Sequence, residues 1–347
     1  MKNRRNIAIV AVPAINFTKA LGVLSRFLDK RFRIAFSYGN AYIPLKADKH
    51  LVGPYLDRLS GKFVNIPPSL LPQKRKAISI SAIAKNLKIG LPRSINIVGD
   101  IITINTIPSE YIALRRVIGD VLRRHLGYRG VFLKRRKTSG TKRIAVWERL
   151  AGWGDTFTIH KESGCLFCLD ISRVFFNPRL GAERLRILSQ VRDGETIIDM
   201  FAGVGPFSIL LSKYRRVRVY AIDINKYAIH YMTINSTLNK TPIDIIHGDA
   251  KEAIYRIHTK ADRIIMNYPE GAINFIGYAI EKLRDEGFIH VYMFVDGKNI
   301  KLTTRKIIAD KIAELGYRPR TVNINTYRVG EVAPYRYLVC ADVYVRM

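Results

Sequence analysis

From about residue 168 onwards, strand-like and helical segments alternate, and this pattern constrains the fold of the chain most strongly. Apolar, strand-like segments occur at 196–200, 218–222, 243–247, 263–266, 287–294 and 339–345, with helical patterns between most of them. Strands joined by helices lie parallel in one sheet, and the helices cover both of its faces. The pattern predicts an α/β fold whose functional residues follow the carboxyl ends of the strands.

A glycine-rich turn follows the first of these strands, in the segment IIDMFAGVGPFS at 197–208. The strand is predicted to end at Asp199, and a helix is predicted to begin near Phe207. Between them, Gly203 and Gly205 allow a tight turn and a close approach of the backbone to a ligand. The turn lacks the third glycine of G-x-G-x-x-G and has no Gly-Lys-Ser/Thr. Nicotinamide binding and a P-loop are therefore disfavoured.

Polar residues also follow the next three strands of the series. Asp223 follows the second strand and could accept hydrogen bonds from ribose hydroxyls, while Asp249 and Asn267 follow the third and fourth. A single aspartate after a strand is a helix cap about as often as it is a ligand-binding residue, and a single G-x-G is commonly just a turn. Four polar residues after four successive strands instead predict one shared ligand crevice.

This series resembles the S-adenosylmethionine-dependent methyltransferases of the Rossmann-like class. The resemblance implies that Asp199 and the two glycines line the methionine end of S-adenosylmethionine, that Asp223 holds the ribose and that Asp249 lies beside the adenine. The cofactor-binding residues that it implies are Asp199, Phe201, Gly203, Gly205, Asp223, Asp249 and Asn267.

The segment before the sheet narrows the resemblance. Residues 174–184, VFFNPRLGAER, are similar to the F-S-P-R-L-x-x-E-R stretch of the archaeal and eukaryotic tRNA (guanine-N1) methyltransferases, which modify the guanine immediately 3′ of the anticodon at position 37. The likeness continues in TIHKE at 158–162, in DMFAGVGPF at 199–207 and in VAPY at 332–335, so that it spans nearly the whole chain.

This family resemblance implies roles for three further groups. Glu183 is expected to be the general base that takes the proton from guanine N1, and Asn267 is expected to orient the base edge. An arginine should stabilise the charge that develops on O6; Arg143 is preferred, and Arg149 remains an alternative. Tyr268 departs from the family pattern, in which an aliphatic residue or proline is frequent, and this affects the expected base pocket.

Net charge and a proline-rich segment indicate the partner and the domain boundaries of the rest of the chain. Lys and Arg number 58 against 28 Asp and Glu, which gives a formal net charge of +30 and indicates a polyanionic partner. Two smaller N-terminal α+β domains are predicted at 1–70 and 71–167, before the methyltransferase domain at 168–347. The proline-rich segment 65–72 marks the first boundary.

The middle domain contains the densest basic region, and we expect it to bind tRNA. A predicted helix at 110–125 would bury the apolar residues Ile112, Val117, Val121 and Leu122. The candidate RNA-binding residues are Arg115, Arg116, Arg123, Arg124 and Arg179. Asp120 is the only acidic residue between positions 115 and 143.

The cysteine spacing and the hydropathy pattern argue against a zinc protein and against a membrane protein. Cys165 and Cys168 have C-x2-C spacing, but a zinc site needs two further ligands, so we expect both on a partly buried strand and expect no metal. No apolar run approaches 18 residues, which predicts a cytoplasmic protein without membrane association. We also expect a monomer.

Rival functions remain open at this point. A related family transfers the aminocarboxypropyl group of the same cofactor to a modified tRNA guanine, but it tends to lose elements that this chain keeps at 178–180 and 183–184. Additional methylation of a wyosine intermediate stays possible. An exocyclic-amine or ribosomal-RNA methyltransferase would be expected to carry Asn-Pro-Pro-Tyr instead of NYP at 267–269. A non-catalytic RNA-binding protein would be expected to lose the glycines or strand-end acids.

Overall fold

The computed structural model describes residues 7–47, 49–67, 70–73, 95–135 and 145–347. The chain divides into two compact units between Pro178 and Arg179. The three-domain division at 1–70, 71–167 and 168–347 stays a prediction. Among the described residues, no helix is long and apolar enough to cross a membrane.

The first unit begins with a small antiparallel sheet. Its strands are β1 (Ala8–Pro13), β2 (Ala35–Ser37), β3 (Asn40–Leu45) and β4 (Lys62–Val64), in the order β2-β3-β1-β4. Helix α1 (Phe17–Leu24) follows β1, and α2 (Lys49–Leu56) follows β3. Tyr38 and Gly39 join β2 to β3 with φ values of 48° and 73°. Two successive left-handed residues are typical of a two-residue hairpin turn.

A second four-stranded sheet contains a hairpin that turns at Gly99 and Asp100. Its strands are β5 (Ile95–Val98), β6 (Ile101–Ile104), β7 (Gly130–Lys134) and β8 (Trp147–Gly152), in that order. Strands β9 (Phe157–Glu162) and β10 (Cys165–Asp170) form a separate antiparallel hairpin. Both cysteines of the C-x2-C pair are buried on β10, which confirms the predicted strand.

Helix α3 (Arg115–Leu126) packs on the second sheet, but its buried face differs partly from the prediction. Leu122 is buried as expected, together with Ile118. Val117 and Ile112 were expected in the core but are 54% and 39% exposed. Ile112 lies in a preceding 3-10 segment, Ser109–Leu114, which has a different residue period from the α-helix. Val117 is one position, about 100° around the helix axis, from Ile118.

The second unit is a seven-stranded sheet with helices on both faces. Its strands are β11 (Thr196–Asp199), β12 (Arg218–Asp223), β13 (Asp244–His247), β14 (Ala261–Met266), β15 (Leu283–Asp296), β16 (Thr321–Ala333) and β17 (Arg336–Arg346). The strand order is β13-β12-β11-β14-β15-β17-β16. Strands β11 to β15 pair in parallel, and β17 runs antiparallel to both of its neighbours. The Rossmann-like α/β prediction is confirmed.

The helices of this unit are α4 (Gly181–Gln190), α5 (Pro206–Tyr214), α6 (Lys226–Asn239), α7 (Ala250–Ala253), α8 (Ile276–Lys282) and α9 (Ile300–Glu314). After β11 the chain builds β12 and β13 on one side and then crosses back to β14 on the other. The strand order therefore reverses between β11 and β14. In open sheets of this kind, a ligand crevice forms where the order reverses.

Candidate active site

The glycine turn, Gly203–Gly205, connects β11 to α5. Gly203 and Gly205 have φ values of 58° and 84°, in the left-handed region that favours glycine. A Cβ atom on Gly205 would also lie 3.0 Å from both Ile209 Cδ1 and Met232 Cγ. The backbone and the packing thus both favour glycine at position 205. Pro206 begins α5, where its fixed φ suits the first helical position.

Asp223, the last residue of β12, accepts a backbone hydrogen bond from the glycine turn. Its Oδ2 accepts the Gly203 N–H at 2.7 Å, and its Oδ1 accepts the Asn225 N–H at 2.8 Å. Burial raises the pKa of Asp223, while these two backbone hydrogen bonds act in the opposite direction. Each carboxylate oxygen keeps a second lone pair that a ligand hydroxyl could use.

Asp199, at the end of β11, is the most deeply buried acid of this crevice, at 1% exposure. Its Oδ2 accepts a hydrogen bond from the Ser208 hydroxyl at 2.8 Å, and its Oδ1 has no hydrogen-bond partner among the described residues. Burial raises the pKa of Asp199 to about 7, and the nearby charge of Asp223 adds to this rise. A buried carboxylate with a bare oxygen suits a ligand that brings a cationic or hydrogen-donating group.

Asp249 and Asn267 complete the series at the strand ends. Asp249 follows β13 and caps α7, because its Oδ1 accepts the Lys251 N–H at 3.0 Å. The helix-cap interpretation therefore holds for this residue. Asn267 directly follows β14, is partly exposed, and its side chain makes no hydrogen bond to a described residue. Its amide can therefore serve a ligand both as a donor and as an acceptor.

Aromatic side chains lie beside these polar groups. The Phe201 ring centroid lies 5.2 Å from that of Tyr268 and 5.0 Å from that of Phe275. A Cβ atom on Gly271 would lie 2.7 Å from Tyr268 Cε1, so a side chain at 271 would displace the Tyr268 ring. The residue that departs from the family pattern is thus part of an aromatic cluster with the predicted cofactor residue Phe201.

Glu183 lies in the first turn of α4 and is 7% exposed. Its Oε1 accepts hydrogen bonds from the Tyr292 hydroxyl at 2.8 Å and from Arg186 Nη2 at 2.7 Å. Its Oε2 accepts one from Arg186 Nε at 2.8 Å. The helix begins after a 3-10 turn, Pro178–Leu180, in which the predicted RNA-binding residue Arg179 is exposed.

Tyr292 links Glu183 to the rest of the crevice. Val291 is the register partner of Met266 in the parallel pair of β14 and β15, so Tyr292 takes the position beside Asn267. The ring of Tyr292 also packs on Phe207, in the first turn of α5, at 5.9 Å between centroids. Glu183 is therefore joined, through one buried side chain, to the strand end that carries Asn267 and to the helix that follows the glycine turn.

A buried polar network continues behind Glu183. Arg186 also contacts Asp342, with Nη1 at 2.6 Å from Oδ2 and Nη2 at 3.1 Å from Oδ1. His290 Nδ1 lies 2.7 Å from Asp342 Oδ1, and His290 Nε2 lies 2.7 Å from Arg263 Nη1. We call this set the Glu183 network: Glu183, Arg186, Tyr292, Asp342, His290, Arg263 and Glu195, the last of which pairs with Arg263 at 2.7 Å.

Sequence reasoning missed every member of this network except Glu183. Arg186 stands three residues after Glu183 on a helix, a spacing at which side chains meet, so this contact had a readable signal. Tyr292 lies 109 positions from Glu183, and Asp342 lies 156 positions from Arg186. Only the pairing of β15 with β17 brings them together.

The predicted RNA-binding arginines have different surroundings. Arg115 Nε pairs with Glu148 at 3.1 Å, an acid on β8 that lies outside the 115–143 interval. Arg123 and Arg124 share Asp120 at 3.7 and 2.7 Å. Arg116 is exposed and has no ion pair with a described residue.

Of the two candidate catalytic arginines, Arg149 lies in the first unit. Arg143 lies outside the described residues, and Arg149, on β8, donates from Nη1 to the Gly154 carbonyl at 2.6 Å.

Comparison with known proteins supports the interpretation of this crevice. Residues 158–317 match the family model for the TRM5/TYW2 methyltransferase domain. The tRNA (guanine(37)-N(1))-methyltransferase Trm5b of Methanocaldococcus jannaschii is 33% identical over 87% of this chain and 92% of its own length. The tRNA 4-demethylwyosine(37)-methyltransferase Taw21 of Saccharolobus solfataricus is 35% identical over 72% of this chain and 93% of its own length.

A third relative is similar in both sequence and structure. The tRNA (guanine(37)-N(1))-methyltransferase Trm5b of Pyrococcus abyssi is 42% identical over 61% of this chain and 63% of its own length. A crystal structure of Trm5b from Pyrococcus abyssi covers 99% of this chain and 100% of that chain, with a TM-score of 0.68 and 32% identity. The segment 158–317 that matches the family model contains both the strand-end crevice and Glu183. With a 33% identical relative covered over 92% of its length, this chain belongs to the tRNA (guanine(37)-N(1))-methyltransferase family.

Proposed function

We propose that this chain methylates N1 of guanine 37 in tRNA, with S-adenosylmethionine as the methyl donor and Glu183 as the general base. The observation that carries this proposal is the position of Glu183, a buried carboxylate tied through Tyr292 to the strand end that bears Asn267. The relatives named above are tRNA position-37 methyltransferases, and their matches support the same activity here.

The reaction defines what each group must do. Guanine N1 carries a proton, so its attack on a methyl carbon requires a base at that nitrogen. Glu183 takes this proton, and the negative charge that develops on O6 needs a nearby cation. Arg143 is the proposed cation; the Arg149 guanidinium already donates to the Gly154 carbonyl. Asn267 orients the base edge, because its amide both donates and accepts.

The crevice fits the proposed cofactor. The bare Oδ1 of Asp199 and the left-handed glycine turn would hold the methionine end, and Asp223 would accept hydrogen bonds from the ribose. Asp249 and the Phe201 ring would lie beside the adenine. When bound, S-adenosylmethionine supplies an electrophilic methyl group.

The proposal includes no metal ion. Atoms of His290, Cys340 and Asp342 lie close enough to share one, but the guanidinium groups of Arg186 and Arg263 contact the same side chains and oppose a cation there. We further propose that the chain acts as a monomer in the cytoplasm. Sedimentation of the protein with and without tRNA tests the first of these two statements, and fractionation of source cells tests the second.

Replacing the proposed base tests the chemical step. Glu183→Gln keeps the size of the side chain but removes the basic carboxylate, so single-turnover methyl transfer should slow by about 10²- to 10⁴-fold. The affinities for tRNA and S-adenosylmethionine should change little. The exposed Glu314→Gln, at the end of α9, is the matched control and should keep the parental rate. Parental turnover by Glu183→Gln, or a methyl group mapped by mass spectrometry to an exocyclic amine, would refute the proposed chemistry.

The proposed tRNA surface is the basic set Arg115, Arg116, Arg123, Arg124 and Arg179. Arg116 is the sharpest probe, because it has no ion pair with a described residue. Each lost phosphate contact should reduce the slope of log affinity against log salt by roughly 0.7 to 0.9, so Arg116→Ala should give a shallower slope. Arg216→Ala removes an equally basic side chain that pairs with Asp193 and should leave the slope unchanged. Equal slopes for the parent and Arg116→Ala would place the phosphate contacts elsewhere.

A second candidate activity is methylation of 4-demethylwyosine at the same nucleotide. The similarity to Taw21, over 93% of that relative, favours it. Incubating the protein separately with tRNA that carries guanine and with tRNA that carries 4-demethylwyosine, followed by mass spectrometry, distinguishes the two substrates. The aminocarboxypropyl rival predicts a different mass increase in the same experiment.

A further inference from the structure

The two carboxylate oxygens of Glu183 differ in the number of hydrogen bonds that they accept. Among the described residues, Oε1 accepts two hydrogen bonds, from Tyr292 and from Arg186, whereas Oε2 accepts one, from Arg186 Nε. A carboxylate oxygen has two lone pairs in the plane of the group. Oε1 is therefore fully used within the protein, and Oε2 retains one lone pair.

Arg186 would weaken Glu183 as a base if its charge acted on Glu183 alone. Asp342 accepts two hydrogen bonds from the same guanidinium, and the Arg186 Cζ atom lies 4.0 Å from the centroid of the Tyr327 ring. Asp342 is itself fixed by His290 and by Gln190 Nε2 at 2.8 Å. The charge of Arg186 is thus divided between two carboxylates that other buried groups hold in place.

The protonation of His290 follows from its two contacts. Arg263 can only donate to Nε2, so Nδ1 carries the proton and donates to Asp342. Burial lowers the pKa of His290, with the nearby charges of Arg263 and Arg186 acting in the same direction and Asp342 opposing them. His290 is therefore neutral in the network.

The paired groups of the network carry one more negative charge than positive charges. Glu183, Asp342 and Glu195 are carboxylates, and Arg186 and Arg263 are the two guanidinium groups paired with them. Tyr292 and Cys340 are neutral neighbours whose pKa values burial raises further. Arg184 extends from the same helix, with its Cζ atom 5.9 Å from the Phe207 centroid. A proton that arrives on Glu183 makes this paired set neutral; without Asp342, the same proton would make it positive.

We infer that Tyr292 and Asp342 are positioning residues for methyl transfer, and that Oε2 of Glu183 is the atom that accepts the guanine N1 proton. This inference rests on the proposed role of Glu183 as the base. In the step, the N1–H bond breaks and its proton bonds to Oε2. A bond forms from N1 to the methyl carbon, and the electron pair of the broken sulfur–carbon bond stays on sulfur.

Two variants test this inference through effects of opposite sign. Asp342→Asn leaves the charge of Arg186 undivided, so the pH midpoint of the single-turnover rate should move toward acid, by about 0.5 to 1 pH unit. The plateau rate should fall roughly threefold to tenfold, because a weaker base transfers the proton less well. Tyr292→Phe removes a donor from Oε1 while it keeps the ring on Phe207, so its midpoint should move toward alkali by a similar amount.

The matched control is Asp193→Asn, which changes an exposed carboxylate of the same unit whose ion pair is with Arg216, outside the Glu183 network. Its midpoint should stay near the parental value, and the dissociation constants for tRNA and S-adenosylmethionine should be parental for all three variants. A Tyr292→Phe midpoint that is unmoved or moves toward acid would overturn the inference even if Asp342→Asn fails to fold. The proposed base fails separately, if Glu183→Gln turns over at the parental rate.

Discussion

Two buried aspartates of the second unit differ in their charged partners. Asp199 is 1% exposed and Asp342 is 5% exposed, so burial acts against the charged form of both. Around Asp342, hydrogen bonds from His290 and Arg186 outweigh burial and hold its pKa below the ordinary range. Asp199 has the Ser208 hydroxyl but no ion pair with a described residue, and its pKa rises to about 7. The presence of a cation, and not burial alone, decides the charge of these groups.

This difference separates two tasks within one domain. No described residue of the crevice at the strand ends forms an ion pair with Asp199, so a ligand that brings a cation is favoured there. The Glu183 network pairs three carboxylates with two guanidinium groups. The gain of one proton would therefore balance its paired charges. The first arrangement suits binding of a cationic cofactor, and the second suits removal of a proton from the substrate.

Removing the shared cation should have the largest effect on stability. Arg186→Met keeps much of the apolar volume but leaves Glu183 and Asp342 without their guanidinium, which should cost about 3 to 5 kcal/mol of unfolding free energy. Urea denaturation at neutral pH measures this loss. Arg216→Met removes an exposed arginine that pairs with Asp193 and should leave stability nearly unchanged. Equal stabilities for these two variants would mean that the network holds its carboxylates without help from Arg186.

The same comparison explains what the sequence could and could not predict. Asp199, Gly203, Asp223 and Asn267 each follow a strand whose apolar pattern is local, so their convergence at one sheet edge could be inferred from spacing. Strand boundaries shifted by a few residues, because hydrogen bonding and not hydropathy sets them. The prediction of a site at the strand ends therefore needed only local sequence patterns and the general behaviour of parallel sheets.

The network depends on pairings that no local pattern specifies. Tyr292 and Asp342 lie on two antiparallel strands that meet through the register of Tyr292 with Cys340, two residues before Asp342. Strand β16, which flanks β17, was not predicted at all. Its residues are mostly exposed, since it is the edge strand of the sheet, and they lack the apolar run by which the other strands were found. The prediction of the buried face of α3 was also partly wrong. Ile112 was counted in the helical period, but it lies in a 3-10 segment that precedes the helix.

The next largest effect concerns the pH dependence of stability at Asp199. Its pKa is about 7 in the folded chain against an ordinary value of 3.8, so the folded state binds an extra proton between these pH values. Parental stability should fall as pH rises from about 4 to about 7, and by 1.36 kcal/mol per pKa unit the fall has an upper limit of about 4 kcal/mol. Asp199→Asn cannot ionise and should lose this dependence.

Urea titrations of the ligand-free protein at several pH values measure that difference. The carboxamide oxygen of Asp199→Asn can still accept the Ser208 hydroxyl, so the local packing is retained. Asp342 supplies the contrast: its pKa is lowered, so the stability that it contributes is present above its unfolded value and is lost only as pH falls into the acid range. Parallel pH profiles for the parent and Asp199→Asn would mean that Asp199 is ionised in the folded chain like Asp342.

The smallest expected effect is on cofactor affinity at Asp223. Asp223→Ala should weaken S-adenosylmethionine binding by about 1.5 to 3 kcal/mol, the contribution of a hydrogen bond to a charged group. It also releases the Gly203 N–H from its acceptor, so part of this loss arises from a less ordered glycine turn. Calorimetry on Asp223→Ala, beside Asp223→Asn, separates the two causes, because the amide oxygen can still accept one N–H. Asp244, at the opposite end of the neighbouring strand β13, forms an ion pair with the exposed Arg218, and Asp244→Ala should bind the cofactor as the parent does. If Asp223→Ala binds the cofactor as tightly as Asp244→Ala, Asp223 serves only the turn, and the cofactor relies on the charge of Asp199 alone.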